Sequence, residues 1–277
     1  MSIYRKIKLG TFESLMALLF SLRERHPHIP MHPFVISEDV KRALAIDATG
    51  VILGISRRLS DRIMIDRLST GLIQHKELFY LNEKPLPCVI ESDYKLNDNW
   101  LTAENNYPLY FNLYKILVSR MDKVRMFEIG VRTGYQGVVC AKACKNMSSA
   151  FYMGVDPNLY VDKGLMLAGE TLNVMRTLFR NFDFALIEGY SWERNIQKSF
   201  FYSGPFDIIH IDGDHSLQGK LIDLELARHL VAPEGLILVD DYDHHPVIKE
   251  AVKKSIAMGW FSEFIYIPTL RGLAILQ

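Results

Sequence analysis

The fold of this chain is decided by the stretch Phe206-Asp-Ile-Ile-His-Ile-Asp-Gly-Asp-His215. Its first six residues are largely apolar and are bounded by glycine and proline on one side and by glycine on the other. Such a run is typical of a strand that is buried on both faces of a sheet. The strand leads directly into the acidic and imidazole side chains of Asp212, Asp214 and His215.

A second apolar run, Gly235-Leu-Ile-Leu-Val239, ends in the same way on Asp240 and Asp241. Two buried strands that each deliver acids at their carboxyl ends are typical of an open parallel sheet. Ligands bind just beyond those ends in such sheets. Carboxylates and an imidazole that converge there could hold a divalent cation and supply a general base.

Strand and helix patterns alternate regularly from about residue 108 onward, and the pattern closes with a predicted hairpin over residues 261–276. Repeated strand–helix units predict an α/β fold with a doubly wound, mostly parallel sheet and an antiparallel strand at its end. We therefore assign residues 101–277 to one α/β domain. Residues 1–100 form an N-terminal accessory region, which we expect to act as a lid or an oligomer contact.

The accessory region shows two readable segments. Apolar residues recur at helical spacing in residues 11–23, which predicts an amphipathic helix. Residues 83–99 contain two prolines and many polar side chains and are expected to form a linker or surface loop.

The composition is that of an ordinary globular protein, with 277 residues, 49% of them hydrophobic and 23% charged. Lys plus Arg and Asp plus Glu both number 32, so no net positive field favours nucleic acid or an anionic membrane. The apolar stretch at residues 15–20 is too short to span a bilayer, and since no small-residue cleavage site follows it, we expect no signal peptide. The three cysteines have no metal or redox spacing, and we expect a cytoplasmic protein with free thiols.

A glycine-rich turn, Glu128-Ile-Gly-Val-Arg-Thr-Gly-Tyr-Gln-Gly137, follows a predicted strand and opens a helix. Its spacing matches neither a dinucleotide fingerprint nor a P-loop. Asp156 ends the next strand, where an acid can hold a ribose diol. The combination predicts a ligand that has a ribose but no phosphate, although a tight turn without a ligand would require the same glycines.

Residues 108–277 resemble class I S-adenosylmethionine-dependent methyltransferases. Glu128-Ile-Gly-Val-Arg-Thr-Gly134 is similar to the first motif of that family, Asp156 to its ribose-binding acid, and Glu188-Gly-Tyr-Ser191 to its adenine loop. The resemblance implies a Rossmann-like sheet, S-adenosyl-L-methionine as the cofactor and methyl transfer as the activity. The cofactor site that it implies consists of Glu128, Gly130, Gly134, Asp156, Glu188, Ser191 and Asp212.

Within that family, Ile211-Asp-Gly-Asp-His-Ser216 and Val239-Asp-Asp-Tyr242 resemble the metal-dependent branch of macrolide-sugar and aminocoumarin O-methyltransferases. The resemblance implies Mg²⁺ bound by Asp212, Asp240 and Asp241. It also implies that either His215 or Asp214 is the catalytic base, and the sequence leaves this choice open. The expected acceptor is a hydroxyl of a small molecule, such as a sugar or phenol of secondary metabolism.

Two other functions remain open at this point. The run Asp240-Asp-Tyr-Asp-His-His245 could bind zinc or manganese in a metal-dependent hydrolase, which would leave the glycine turn and Asp156 unexplained. A non-enzymatic cofactor-binding or scaffold protein would keep the glycine turn without needing the acids. Binding of S-adenosylmethionine and its dependence on metal separate these possibilities. We also expect a homo-oligomer through the N-terminal region.

Overall fold

The computed structural model describes residues 37–90, 107–158, 163–269 and 271–277. The predicted helix at residues 11–23 and the segment 91–99 of the predicted loop lie outside these ranges. The expected domain boundary near residue 100 also lies outside them and stays a prediction.

The main sheet has seven strands in the order β5-β4-β3-β6-β7-β9-β8. The five strands from β3 to β7 are parallel, and β9 pairs antiparallel with both β7 and β8. This arrangement confirms the predicted doubly wound sheet with its antiparallel hairpin. The strands are β3 Lys123–Ile129, β4 Ser149–Asp156, β5 Phe182–Glu188, β6 Phe206–Ile211, β7 Val231–Val239, β8 Phe264–Ile267 and β9 Leu273–Leu276, and a separate two-stranded ribbon consists of β1 Tyr80–Leu81 and β2 Lys84–Pro85.

Helices connect the strands and cover both faces of the sheet. Before β3 they are α1 Glu38–Ala45, α2 Arg57–Ile63, α3 Ile65–Leu68, α4 His75–Phe79, α5 Pro87–Ile90 and α6 Tyr107–Val118. After β3 they are α7 Tyr135–Ala143, α8 Gly164–Leu178, α9 Arg194–Ser203, α10 Leu217–Leu230 and α11 Pro246–Ala257. The longer helices follow their sequence signals: Ser216 caps α10 by accepting from the amide of Gly219 at 2.9 Å, and Pro246 occupies the first turn of α11.

Alternate residues of the parallel strands supply two hydrophobic cores, one on each face of the sheet. In β6, Ile208 packs on the side of α6, α7 and α8, whereas Ile209 and Ile211 pack on the side of α10 and α11. This packing on both faces explains why four of the six residues of β6 are apolar. No helix among the described residues is long and apolar enough to cross a membrane.

The described part of the N-terminal region packs into both of these cores. Val40 and Ala43 of α1 belong to the core that contains α10 and α11. The opposite core takes the fully or almost fully buried side chains Leu59, Ile63, Leu68, Leu78, Phe79, Leu86 and Cys88. Residues 37–90 therefore share their apolar packing with the α/β sheet and its helices.

The expectation of a surface loop was wrong for residues 84–90. Leu86 and Cys88 are 3% and 0% exposed, and the amide of Cys88 donates to Oγ1 of Thr171 in α8 at 2.9 Å. Pro87 begins the short helix α5, a position where proline loses no hydrogen bond. The prolines here mark a strand end and a helix start rather than an exposed linker.

Candidate active site

A cavity of about 630 Å³ opens at the carboxyl ends of the parallel strands, where an open α/β sheet places its ligand. Its wall combines the glycine turn after β3, the end of β4, the loop after β5 and the acidic ends of β6 and β7. Of the predicted site residues it includes Gly130, Asp156, Ser191, Asp212, Asp214, His215 and Asp241. The wall does not include Glu128, Gly134, Glu188 or Asp240.

The turn after β3 lies tightly against the end of β6. Gly130 has φ +93°, and a β-carbon there would lie 2.3 Å from the carbonyl oxygen of Asp212. The Gly130 amide donates to Val155 at 2.9 Å, and the Asp212 amide donates to Ile129 at 2.8 Å. Glycine is required here because the two strand ends and the cavity wall meet without room for a side chain.

Gly134 has a different role. Its φ is +90°, and a β-carbon would lie 3.1 Å from the backbone of Ala168 in α8. The residue starts α7 in the left-handed conformation that glycine accommodates. Gly134 therefore allows close packing of two helices and lies behind the cavity rather than in its wall.

Asp156 is buried at the end of β4 and lines the cavity. Its two carboxylate oxygens accept from the amides of Arg132 at 2.7 Å and Asn158 at 2.6 Å. Burial raises the pKa of Asp156, and the hydrogen bonds from the backbone act against that increase. The acid thus joins the glycine turn to the next loop while facing the cavity, where it can accept from a diol.

Glu128 lies beneath the cavity. Tyr152 donates a hydrogen bond to its carboxylate, and Nδ1 of His210 lies 3.5 Å from its second oxygen. Nε2 of His210 lies 4.0 Å from Oδ2 of Asp240. Glu128, His210 and Asp240 therefore form a buried line of charges that connects β3 with β6 and β7.

Burial and the neighbouring charges shift the pKa values of Glu128 and His210. Burial raises the pKa of Glu128. Burial would lower the pKa of His210, but the hydrogen bond and charge of Glu128, together with the charges of Asp240 and Asp212, outweigh it and raise that pKa. The arrangement favours an imidazolium between two carboxylates, in which His210 compensates charge that the core would otherwise not tolerate.

The loop after β5 contributes Ser191 rather than Glu188 to the cavity. Glu188 is exposed at the strand end. Oγ of Ser191 donates to Oδ1 of Asp223 in α10 at 2.5 Å, so that α10 holds the loop. Trp192 also lines the cavity, and its ring lies 4.0 Å from that of Tyr190.

Four side chains converge at the other end of the cavity, and we call them the imidazole–carboxylate cluster: Asp212, His215, Asp241 and His245. Nε2 of His215 lies 3.4 Å from Oδ1 of Asp212 and 3.6 Å from Oδ2 of Asp241. Nε2 of His245 lies 3.9 Å from the same Oδ2 of Asp241. The cluster thus presents two imidazole nitrogens and two carboxylates toward one region of the cavity.

The local charges set the proton affinities in this cluster. Burial followed by the charges of Asp212 and Asp240 raises the pKa of Asp241 from 3.8 to about 7. Burial would raise the pKa of Asp212, but the hydrogen bond and charge of His215 outweigh it and lower that pKa. Burial and the neighbouring positive charges lower the pKa of His245 from 6.5 to about 4. His245 is therefore a neutral imidazole near neutral pH.

Asp214 takes part in the start of α10. Its carboxylate accepts from the amide and the hydroxyl of Ser216, each at 3.0 Å. His215 makes no such capping contact and directs Nε2 at the carboxylates of the cluster. Of the two candidate bases, His215 therefore has the geometry better suited to receive a proton in the cavity.

The three acids expected to bind Mg²⁺ have different surroundings. Asp212 and Asp241 belong to the cluster, whereas Asp240 faces His210 and accepts from the amide of Asp241 at 2.9 Å. Within the described ranges, the group of at least three His, Cys, Asp or Glu side chains whose ligand atoms lie within 4.8 Å of one another is His215, Asp241 and His245. This donor set contains two imidazoles and suits Mg²⁺ less well than three carboxylates would.

Some residues of the site were missed by sequence reasoning. Arg271 lies in the turn between β8 and β9, and its Nε is 3.0 Å from Oδ1 of Asp241. Asp223 and Asn158 contact Ser191 and Asp156 from α10 and from the loop after β4. Arg271 carries no local signal, because it reaches the site only through the pairing of distant strands. His245 was noted as a potential ligand of a hydrolase metal, and the structure places it in the cluster.

Residues 127–242 match a family described as a methyltransferase domain. Together with the sheet order, this match identifies a methyltransferase domain over these residues, and it confirms the resemblance inferred from the glycine turn and the acids. The matched range begins in β3 and ends just after the acid pair, so it contains every predicted site residue.

Known proteins similar to this chain include O-methyltransferases. The O-methyltransferase ankF of Aspergillus thermomutatus is 26% identical over 143 residues, which are 50% of this chain and 53% of that protein. The chain thus matches about half the length of this curated relative. The structure of CalS11, a calicheamicin methyltransferase, aligns with a TM-score of 0.50 at 13% identity and covers 89% of this chain and 99% of that one. The O-methyltransferase of Bacillus cereus in complex with SAH aligns with a TM-score of 0.47 at 16% identity, covering 77% of this chain and 99% of that one. The likeness to CalS11 supports the fold.

Proposed function

We propose that the protein is an S-adenosylmethionine-dependent O-methyltransferase that acts on a hydroxyl of a small molecule. The observation that carries the proposal is a single cavity that joins two sites of different chemistry. The glycine turn and Asp156 form one side, and the imidazole–carboxylate cluster forms the other. The methyltransferase domain and the similarity to an O-methyltransferase support the same activity.

The cofactor would occupy the side of the glycine turn. Asp156 is placed to accept from the ribose hydroxyls, and Ser191 and Trp192 border the region that the resemblance gives to adenine. The turn at Gly130 allows the cofactor to lie directly against the backbone. Glu128 and Gly134 would act indirectly, through the core and the packing of α7 against α8.

Methyl transfer requires an acceptor oxygen in line with the sulfonium methyl group and a group that takes the hydroxyl proton. The oxygen forms a bond to the methyl carbon while the bond from carbon to sulfur breaks, leaving a neutral thioether. When no cation occupies the cluster, Nε2 of His215 is the atom that receives the proton. Asp212 and Asp241, at 3.4 Å and 3.6 Å, then stabilise the resulting imidazolium.

The acceptor class follows from the size and charge of the site. A cavity of about 630 Å³ lies in the range of small-molecule sites, and it must hold the cofactor as well. The balanced numbers of acidic and basic residues offer no field for a nucleic acid. A sugar or phenol hydroxyl of secondary metabolism suits these limits.

A cytoplasmic location and a homo-oligomer through the N-terminal region remain predictions. Light scattering would test the oligomeric state.

The proposal is tested by binding and by turnover. Calorimetry should show that S-adenosylmethionine and its demethylated product bind to one site, and Asp156→Ala should weaken both. A panel of sugars and phenols is then screened for release of the demethylated cofactor, with methylated product identified by mass spectrometry. Failure to bind either form of the cofactor would refute the proposal. Binding without turnover of any acceptor would favour a cofactor-binding protein.

A further inference from the structure

The donor set of the imidazole–carboxylate cluster points to a cation other than the expected Mg²⁺. One ligand atom from each of His215, Asp241 and His245 lies within 4.8 Å of the other two. Oδ2 of Asp241 is 3.6 Å from Nε2 of His215 and 3.9 Å from Nε2 of His245. Two imidazoles with one carboxylate form a donor set typical of first-row transition metals and zinc. Magnesium instead prefers carboxylates and water.

The surroundings of Asp241 are a second, independent observation. The residue is 1% exposed, and within the described part of the chain neither of its carboxylate oxygens accepts a hydrogen bond. Oδ1 pairs with Nε of Arg271 at 3.0 Å, whereas Oδ2 lies 3.6 Å from Nε2 of His215 and 3.9 Å from Nε2 of His245. A buried carboxylate oxygen without a hydrogen bond is costly, and a cation would compensate that cost.

The backbone holds Asp241 in this position. Its φ is +59°, in the left-handed region that residues with a β-carbon adopt less readily than glycine. The amides of His244 and His245 donate to the carbonyl of Asp241 at 3.1 Å and 3.2 Å. This tight turn brings His245, at the start of α11, back beside the carboxylate of Asp241. Backbone strain that is fixed in this way is often found at functional sites.

The distances are close to those of a loaded site. Zinc bonds of about 2.0–2.1 Å in tetrahedral geometry place neighbouring ligand atoms about 3.3 Å apart. The separations from Oδ2 of Asp241 to the two imidazole nitrogens are 3.6 Å and 3.9 Å. Relative to that spacing, Nε2 of His215 and Nε2 of His245 are too far from Oδ2 of Asp241 by about 0.3 Å and 0.6 Å.

We propose that His215, Asp241 and His245 form a binding site for a divalent cation of the zinc or cobalt type, in preference to Mg²⁺. The proposal deepens the proposed function, since the site lies at the acceptor end of the same cavity. Asp240 lies outside this three-residue group, and its Oδ2 faces Nε2 of His210 at 4.0 Å. Asp212 stands next to the site, with Oδ1 at 3.4 Å from Nε2 of His215.

Cation binding has a consequence for His215. Its Nε2 cannot hold a cation and accept a proton at the same time. With a cation bound, the carboxylate of Asp212, whose Oδ1 lies 3.4 Å from Nε2 of His215, would accept the proton instead. The cation would also lower the pKa of a hydroxyl bound to it, which reduces the need for a strong base.

The test uses cobalt as a spectroscopic probe. The full-length protein is freed of metal with a chelator and titrated with Co²⁺, and the visible absorption of the bound ion is followed. We expect one equivalent to bind, with a spectrum typical of mixed nitrogen and oxygen ligands. His245→Ala should weaken binding by about tenfold or more. His244→Ala is the matched control, because this neighbouring imidazole is exposed and lies outside the three-ligand group.

Two further measurements complete the design. Asp241→Asn should also weaken Co²⁺ binding, and circular dichroism shows whether each variant is folded. Millimolar Mg²⁺ should fail to displace the bound Co²⁺. Displacement by Mg²⁺, equal affinity of the His245 and His244 variants, or no Co²⁺ binding by the wild-type protein would each overturn the proposal. Binding of the demethylated cofactor to the wild-type protein is measured by calorimetry in parallel. Absence of this binding would refute the proposed function independently of the metal site.

Discussion

Replacing Gly130 by alanine should damage both the fold and the site, and the structure provides a matched control. An alanine at Gly130 meets two obstacles: a φ of +93° and a β-carbon 2.3 Å from the Asp212 carbonyl oxygen. Gly259, at the end of α11, has φ +71° but nothing within 4 Å of a β-carbon. Gly259→Ala therefore measures the backbone strain alone, which costs about 1–2 kcal/mol.

The clash adds a separate cost at Gly130. The obstructing atoms belong to the backbone of Asp212 and Gly213, which cannot rotate away, so the end of β6 must shift. Overpacking of this kind costs about 1–3 kcal/mol, and Gly130→Ala should therefore lose about 2–5 kcal/mol in total. For a chain of this size each kcal/mol lowers Tm by roughly 2–4 °C. Since β6 carries Asp212 into the cavity, binding of the demethylated cofactor should weaken in the same variant.

Thermal unfolding and calorimetry check this prediction directly. The Gly130 variant should unfold several degrees below the Gly259 variant and bind the cofactor product more weakly, while the Gly259 variant binds normally. Equal losses of Tm in the two variants would show that the backbone clash has no energetic weight. Normal binding by a destabilised Gly130 variant would show that the turn does not border the cofactor.

Asp156→Ala should weaken S-adenosylmethionine binding by about 1–3 kcal/mol in calorimetry, since a charged acceptor is lost; exposed Asp183→Ala on the neighbouring strand is its control, and equal affinities would contradict the assignment. His210 should stabilise the protein below its ordinary pKa of 6.5 and lose this effect as pH rises through its higher folded-state pKa. Urea unfolding of wild type and His210→Gln at about pH 6 and about pH 9 measures this, and a stability difference that grows with pH would contradict the pairing with Glu128. In metal-free protein, where His215 is the proposed base, His215→Ala should slow single-turnover methyl transfer about 100-fold, and a near-normal rate would move the base role away from this residue.

The fold could be predicted from the sequence because the parallel strands are buried on both faces. Their largely apolar runs, such as residues 206–211 and 235–239, are readable in the sequence, and these two end on acidic residues at the same edge of the sheet. Helix ends at Ser216 and Pro246 follow local capping chemistry that needs no tertiary context. The segment 84–90 was misjudged because prolines and polar residues occur equally in loops and at the ends of buried elements.

Side-chain direction in the site was harder to predict than its location. Asp240 and Asp241 follow the last residue of β7, and the chain turns at Asp241, whose φ is +59°. One therefore pairs with His210 below the cavity, while the other turns into it. Glu128 likewise faces the core rather than the ligand, because its carboxylate lies against Tyr152 and His210. Sequence patterns place such acids at the correct sheet edge without deciding which of them face the ligand.

The position of β9 gives the site an order of assembly. This strand follows both of its neighbours in the chain, yet it lies between them, with β7 on one side and β8 on the other. The turn before β9 holds the loop that follows Asp241. The amide of Tyr242 donates to the carbonyl of Gly272 at 3.0 Å, and the amide of Asp243 donates to the carbonyl of Arg271 at 2.8 Å. During synthesis the five parallel strands are thus available before the guanidinium that faces Asp241. A nascent chain halted ahead of residue 271 would carry the cofactor turn complete and the cluster without its counter-charge.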